Sequence, residues 1–377
     1  MIERALGAHV SSRLGLGKAV VLLGARQVGK TTLLTSLLGG SSDVLWLNAD
    51  EARVRSLFAE VTPARFGPYL AGYTTVVIDE AQRIQDIGVK LKILQDAFGP
   101  RVQFIATGSS SFDLANKVNE PLTGRKWELS LFPLSAKEMI AHHGLFTEEG
   151  FLDSRIVFGW YPEVVSRPEL AADLLAELAE STLYKDIFAL ASIRRPGAFE
   201  TLVRALAYQV GSQVNLTELA SVSGLDRKTV ASYVTLLEQA FIVFRVGSYA
   251  RNLRNELSAS SKIYFYDVGL RNALIGDFSP PDHRGDIGHL FENFVVAEMM
   301  KSHADKGTSS PCWFWRTTSH QEVDVVRPTP DGLNAYEIKW NPAARVRIPP
   351  AFRQGYPDAT VVTINRDNVL SILAALT

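Results

Sequence analysis

One short segment combines residue types and spacing that bind a polyphosphate. Residues 24–32, GARQVGKTT, match G-x-x-x-x-G-K-[ST] at every position. In such a loop the backbone N–H groups and a helix N-terminus attract the anion, the lysine reaches the β- and γ-phosphates, and the threonine hydroxyl ligates Mg²⁺. A chance match in a glycine-rich turn is the alternative. The predicted ATP-binding residues are Gly24, Ala25, Arg26, Gln27, Val28, Gly29, Lys30, Thr31 and Thr32.

An acidic pair follows an apolar run further along the chain. The β-branched residues 75–78, TVVI, precede Asp79 and Glu80. We expect Asp79 to hold the hydrated Mg²⁺ together with Thr31, and Glu80 to polarise the attacking water. A solvent-exposed acidic pair at a strand end is the alternative. Beside the phosphate loop, the pair predicts a hydrolytic site.

Two positions in the same region could complete that site. Ser109 or Ser110 follows the next apolar run, 102–106, and a hydroxyl there could sense the γ-phosphate. Arg125 precedes the run 127–131. In oligomeric ATPases of this architecture, such an arginine often points at a neighbour's nucleotide as an arginine finger, which raises the rate by ~10³–10⁵. A solvated surface arginine is the alternative for Arg125.

Charged residues near the end of the chain suggest metal-dependent phosphodiester chemistry. Asp324 lies in a predicted strand, and Glu337 and Lys339 follow on one face of another, with Glu337 thirteen residues after Asp324. Asp324, Glu337 and Glu292, on the preceding predicted helix, would ligate Mg²⁺ or Mn²⁺, while Lys339 would steady a water or the scissile phosphate. A charged pair at a strand edge would have the same residues.

These residues depend on elements that the hydrophobic pattern predicts. Five apolar runs, at 19–23, 44–47, 75–78, 102–106 and 127–131, alternate with helical patterns that include 32–38, 89–98 and 112–119. Alternating strands and helices imply a parallel sheet covered on both faces. The segment 136–190 is rich in Ala, Leu and Glu and reads as helical, with a turn at 159–162.

The pattern of residues 216–239 is typical of a helix-turn-helix around Gly224. Arg227, Lys228 and Thr229 begin its second helix, where contacts with DNA would lie, and Arg251 and Arg254 lie in a predicted wing between two strands. The segment 194–262 carries a net charge of +4, which favours DNA contact. A winged helix used for packing or protein contact is the alternative. The positions expected to face inward are Leu219, Val222, Leu225, Val230, Tyr233 and Leu236.

Composition bounds the class of protein. The chain has 377 residues, a net charge of −1 and 46% hydrophobic residues, as in a multidomain globular protein without a global basic excess. Its single cysteine, Cys312, excludes an intramolecular disulfide and a cysteine zinc site. We find no signal-peptide pattern and no run of 18 apolar residues, and therefore expect a cytoplasmic protein without a membrane partner.

The motifs also resemble those of a known family. The segments VLLGARQVGKTTLL, IDEAQ, TGSS, LTGR, GWYPEVV, KIYFYDVGLRNAL, LFENFVVAEM and EVDVV…AYEIKW, spread over most of the chain, resemble predicted bacterial and archaeal AAA+ ATPases. That family combines an AAA+ domain with a middle winged helix and a C-terminal PD-(D/E)XK nuclease-like domain. The resemblance implies an α/β fold: a P-loop parallel-sheet domain (1–135), a helical lid (136–195), a winged helix (196–280) and an α/β nuclease-like domain (281–377).

Two functions are consistent with these patterns. The first is an ATPase that acts on DNA through the winged helix and a metal-dependent nuclease-like domain. The second is an ATP-dependent regulatory switch. In it, ATP binding controls either the formation of a homo-oligomer, with Arg125 acting in trans, or a protein interface. The last domain is then a non-catalytic docking module. A small-molecule kinase fits poorly because it leaves the C-terminal segments without a role.

Overall fold

The structure, a computed structural model, describes residues 2–109, 122–181, 187, 193–249, 261–304, 312–317, 319–330 and 332–376. The predicted helix at 112–119, Ser110, and Arg251 and Arg254 of the predicted wing lie outside these ranges. Among the described helices, none is both long enough and apolar enough to span a bilayer.

Five parallel strands form the sheet of the N-terminal part, which confirms the predicted fold class for this segment. They are β1 (Ala19–Leu23), β2 (Val44–Asn48), β3 (Thr75–Asp79), β4 (Gln103–Gly108) and β5 (Lys126–Ser130). Their order is β2-β3-β4-β1-β5, with every neighbouring pair parallel. Because parallel strands end at the same edge, the residues that follow β1, β3 and β4 are brought together there.

Helices surround this sheet and continue into the segment predicted as a lid. The first group is α1 (Leu6–Ser11), α2 (Lys30–Leu38), α3 (Ala52–Leu57), α4 (Pro63–Phe66) and α5 (Ile87–Phe98). The second is α6 (Ala136–His143), α7 (Leu145–Phe158), α8 (Pro162–Ser166) and α9 (Ala171–Glu180). A capping box defines the start of α6, since Ser135 and Glu138 each accept the other's backbone N–H. The predicted turn near Gly159 separates α7 from α8.

Three helices follow, α10 (Pro196–Tyr208), α11 (Leu216–Ser223) and α12 (Arg227–Gln239). Gly224 ends α11 in the left-handed region, and Asp226 caps α12 by accepting the N–H groups of Lys228 and Thr229. The expected inward face is partly confirmed: Leu219 and Val230 are buried, and Leu225 and Tyr233 are half-buried against the core. Val222 is instead 55% exposed, and α12 also buries Val234 and Leu237, while Leu236 is only half-buried. The difference arises because the helix rotation is set by packing, which spacing alone does not determine.

The strands of the second sheet are β6 (Val243–Ser248), β7 (Ser261–Phe265), β8 (Trp313–Arg316), β9 (Glu322–Thr329), β10 (Gly332–Ile338) and β11 (Thr360–Ile364). Their order is β11-β10-β9-β8-β6-β7. The accompanying helices are α13 (Val268–Ile275), α14 (Ile287–Ala304), α15 (Pro350–Gly355) and α16 (Val369–Ala375). The two strands expected to flank a separate wing, β6 and β7, belong to this sheet, because β6 pairs with β8. The sheet is therefore continuous across the predicted boundary at residue 280.

A buried carboxylate joins the lid segment to the C-terminal half. Asp267, 2% exposed, accepts the N–H groups of Trp160 at 2.7 Å and Leu270 at 2.9 Å. Gly159 is required at this contact, since a Cβ there would lie 2.2 Å from a carboxylate oxygen of Asp267. The motifs GWYP and YDVG thus form one interlocked contact.

Candidate ATP site and C-terminal charge cluster

The phosphate loop connects β1 to α2 and has the backbone features that its glycines predict. A Cβ on Gly24 would lie 2.1 Å from the carbonyl oxygen of Leu131, so only glycine fits against the end of β5. Gly29 has φ 93° and directly precedes α2, whose first residue is Lys30. The Lys30 ammonium is buried and donates to the carbonyls of Gly24 (2.9 Å) and Ala25 (2.8 Å). The lysine is therefore held within the loop that it is predicted to serve.

Thr31 and Asp79 lie side by side, as expected for a shared Mg²⁺. The Thr31 hydroxyl donates to Asp79 Oδ2 at 2.9 Å, and Thr107 donates to the other carboxylate oxygen. Mg²⁺ in nucleotide sites keeps several waters and takes only one or two protein ligands. This pair of oxygen groups fits such an ion. Thr107 was not assigned a role from the sequence, although it lies in the TGSS segment.

Glu80 and Ser109 meet through a third residue that the sequence did not single out. Gln82, in the short 3₁₀ turn Ala81–Arg83, donates from Nε2 to Glu80 Oε2 and to Ser109 Oγ, the latter at 3.0 Å. Glu80 has φ 52°, a conformation that costs a non-glycine residue about 1–3 kcal/mol and is common at functional sites. The predicted base and sensor are thus brought together at the ends of β3 and β4.

An N-terminal arginine fixes the loop against the lid segment. Arg4 donates to the carbonyls of Val28 (2.7 Å) and Phe132 (2.6 Å) and to Glu138 Oε1 (3.0 Å). The side chains of Arg4 and Glu138 are only 9% and 3% exposed. No sequence signal separated Arg4 from other arginines, because its partner is 134 positions away.

A cleft of about 900 Å³ opens beside the loop. It lies between α1, α2 and helices α6 to α8 of the lid segment. Residues from each side that line it are Ala8, Gly29, Thr32, Met139, His142 and Val165. Its volume is within the range of small-molecule sites, and its position next to the loop suits the nucleoside end of a bound nucleotide.

Arg125 lies at the other end of the sheet. Its carbonyl accepts the N–H of Ala19, the first residue of β1, and its guanidinium pairs with Asp96 at 2.6 Å. Five residues of strand, roughly 17 Å at ~3.3 Å per residue, separate it from the loop of the same chain. The side chain is 45% exposed. Arg125 therefore does not belong to its own chain's site, and its role in trans stays a prediction.

The C-terminal residues Asp324, Glu337 and Lys339 do lie together. Lys339 Nζ is 2.8 Å from Asp324 Oδ2 and 3.2 Å from Glu337 Oε2, and Asp324 also accepts the N–H of Ile338 at 2.8 Å. Burial raises the pKa of Glu337 to about 7, and the nearby Asp324 carboxylate adds to the rise. Burial opposes the charge on Lys339, but its contact with Asp324 raises its pKa. Glu337 Oε1 is buried and has no hydrogen-bond partner among the described residues.

Glu292 has other partners. Its Oε1 accepts from Lys262 Nζ (2.9 Å) and the Tyr264 hydroxyl (2.6 Å), and Lys262 also contacts Glu322 at 2.6 Å. Within the described part of the chain, no group of three or more His, Cys, Asp or Glu residues is arranged to hold a metal ion. In this arrangement the ammonium groups of Lys262 and Lys339 lie between the carboxylates. The metal roles of Glu292, Asp324 and Glu337 remain predictions.

Comparison with known proteins divides the chain into three matched segments. Residues 16–140 match the AAA domain family, residues 150–280 match a domain of unknown function (DUF8612), and residues 287–374 match a second domain of unknown function (DUF4143).

Similar proteins cover most of the chain. An uncharacterized protein of Mycobacterium tuberculosis is 28% identical over 347 residues, which span 90% of this chain and 74% of that protein. An uncharacterized protein of Haemophilus influenzae is 23% identical over 303 residues, 74% of each chain. The solved Walker-type ATPase PABY2304 of Pyrococcus abyssi aligns over 73% of this chain and 96% of its own, with TM-score 0.49 and 17% identity. Over residues 16–140 this chain is thus similar to AAA-type ATPases, which use ATP and Mg²⁺.

Proposed function

We propose that the protein binds and hydrolyses ATP at the loop 24–32. One observation carries the proposal: Thr31, Asp79, Glu80 and Ser109 converge beside Lys30 at the carboxyl edge of the first sheet. The loop and Lys30 hold the phosphates, and Thr31 and Asp79 hold Mg²⁺, which would neutralise charge on the phosphates. Glu80 accepts the proton of the attacking water, and Ser109 donates to the γ-phosphate. The cleft beside α2 takes the adenosine end.

Two substitutions test this assignment. Lys30→Ala is expected to lose nucleotide binding, measured with a fluorescent ATP analogue. Glu80→Gln is expected to retain binding but to lose turnover by about 10²–10⁴, the usual contribution of a general base. Glu60→Gln is the control, since its side chain is 82% exposed and pairs with surface Arg65. Turnover that persists in Glu80→Gln removes that residue as the base.

DNA is the partner that the middle segment favours. The succession of α11, the turn at Gly224 and α12 supports a helix-turn-helix, and Arg227 and Lys228 are exposed at the start of α12. Helix N-termini and basic side chains contact phosphates in such motifs. In this proposal ATP drives movement of a DNA-binding segment. ATPase rates should rise with single- or double-stranded DNA, and Arg227→Glu with Lys228→Glu should abolish the rise.

Nuclease chemistry at the C-terminal sheet is a finer part of the same proposal. Lys339 Nζ lies 2.8 Å from Asp324 and 3.2 Å from Glu337, which supports a D…E-x-K set. Cleavage of labelled DNA with added Mg²⁺ or Mn²⁺, abolished by Asp324→Ala, would support it. DNA that stays intact in all nucleotide states would reduce this segment to a binding role.

A regulatory switch is the second candidate, favoured by a specific contact. Glu298 of α14 accepts the N–H of Ala136 at 2.6 Å, and Lys301 donates to the carbonyl of Leu134 at 3.0 Å. The C-terminal segment thus holds the start of α6, which Arg4 joins to the phosphate loop through Glu138. Solution mass with and without ATP tests whether nucleotide changes assembly. A mass that responds to ATP and falls back in Arg125→Ala would also support Arg125 acting in trans.

A further inference from the structure

Gln82 lies between the two groups that the proposed hydrolysis needs. Its Nε2 donates one hydrogen bond to Glu80 and a second to Ser109. A glutamine amide nitrogen carries two hydrogens, so both are used. The opposite amide atom, Oε1, is buried and has no hydrogen-bond partner among the described residues.

The orientation of this amide follows from its partners. Exchanging the nitrogen and oxygen would place Oε1 against the carboxylate oxygen of Glu80, and two acceptors would then face each other. The Glu80 carboxylate therefore favours the orientation in which Nε2 faces it. In this orientation the buried Oε1 has no hydrogen-bond partner among the described residues, which destabilises the folded state.

This orientation decides what each neighbour can do. The Ser109 oxygen accepts from Gln82, so its own hydroxyl proton remains available for an anionic oxygen. Glu80 accepts through Oε2, which leaves Oε1 to take a proton from water. Gln82 thus sets Ser109 as a donor and Glu80 as an acceptor, the polarity that attack on a γ-phosphate requires.

We propose that Gln82 is a positioning residue that couples the sensor Ser109 to the base Glu80 during ATP hydrolysis. When Ser109 moves to meet a γ-phosphate oxygen, the shared amide moves with it and brings Glu80 toward the water. The proposal rests on the proposed ATPase function and extends it to a residue that holds Glu80 and Ser109 in place.

Two substitutions separate this role from simple packing. Gln82→Glu keeps the shape but replaces the donor with an acceptor, and Gln82→Met keeps the length without a polar group. Both are expected to lower kcat on the order of 10- to 100-fold, the usual effect of misplacing a reacting group, with KM for ATP changed less than about threefold. The melting temperature should stay close to that of the unsubstituted protein in Gln82→Met, whereas Gln82→Glu places a second carboxylate against Glu80 and should lower it. In a Ser109→Ala background, Gln82→Met should cost less than it does alone.

The outcomes are distinct. Unchanged kcat in Gln82→Met overturns the proposal, because a packing role tolerates that change. Equal losses from Gln82→Met with and without Ser109 also overturn it, because the two residues would then act independently. If the unsubstituted protein does not hydrolyse ATP, the proposed function fails first and this role fails with it.

Discussion

Replacing Arg4 with methionine is expected to destabilise the N-terminal part substantially. The change removes three hydrogen bonds and leaves Glu138, 3% exposed, without its cation. Breaking a buried ion pair costs about 3–5 kcal/mol. Glu138 keeps the N–H groups of Ala5 (2.9 Å) and Ser135 (3.0 Å), so the lower end, about 3 kcal/mol, is expected. For a unit of 150–250 residues this lowers the melting temperature by roughly 6–12 °C.

Thermal melting followed by circular dichroism measures the effect, and an exposed pair provides the control. Arg53 contacts Glu51, but its side chain is 84% exposed, so Arg53→Met should cost under about 1 kcal/mol. Adding Glu138→Gln to Arg4→Met should recover part of the loss, because the uncompensated charge disappears while glutamine still serves the capping box. An Arg4→Met protein that melts within about 2 °C of the unsubstituted one would refute the reasoning.

Thermal melting of the same proteins in the presence of ATP tests whether Arg4 also contributes to ATP binding by the phosphate loop. Ligand at 100 times its Kd stabilises a protein by about 2.7 kcal/mol. Since Arg4 holds the carbonyl of Val28 within the loop, Arg4→Met should need more ATP for the same rise in melting temperature. An identical ATP dependence would restrict Arg4 to a stability role.

Two further predictions concern the C-terminal contacts. Gly159→Ala should lower the free energy of unfolding, measured by urea denaturation, more than Gly144→Ala does. Both glycines have positive φ (68° and 89°), but only at Gly159 would the new Cβ press against Asp267. Equal losses would contradict this contact. Burial raises the pKa of Glu337 from 4.5 to about 7, so its contribution to stability is full below about pH 4.5 and is lost as the pH rises through about 7. The drop in melting temperature between about pH 5 and about pH 8 should therefore be smaller in Glu337→Gln, and an equal drop would assign it to other groups.

Local patterns in the sequence were enough to determine the phosphate loop, the strands around it and the acidic pair after β3. The run Ala19–Leu23 is apolar at every position because a central parallel strand is buried on both faces, and this is visible without a structure. Gly29 can likewise be recognised, since its positive φ is a local requirement, although the contact that requires Gly24 is with the distant Leu131. These elements together placed Asp79, Glu80 and Ser109 at one sheet edge.

Tertiary structure alone decided the contacts between distant segments. Arg4 and Glu138, Gly159 and Asp267, and Ala136 and Glu298 are more than 100 positions apart, and neither residue of a pair signals the other. The position of Gln82 between Glu80 and Ser109 depends on the 3₁₀ turn after Glu80 and on the pairing of β3 with β4. The place of β6 and β7 in the C-terminal sheet depended on a pairing with β8 that spans residue 280. Long-range pairing and helix rotation are set by how whole surfaces pack, and that information is not carried by any short stretch of residues.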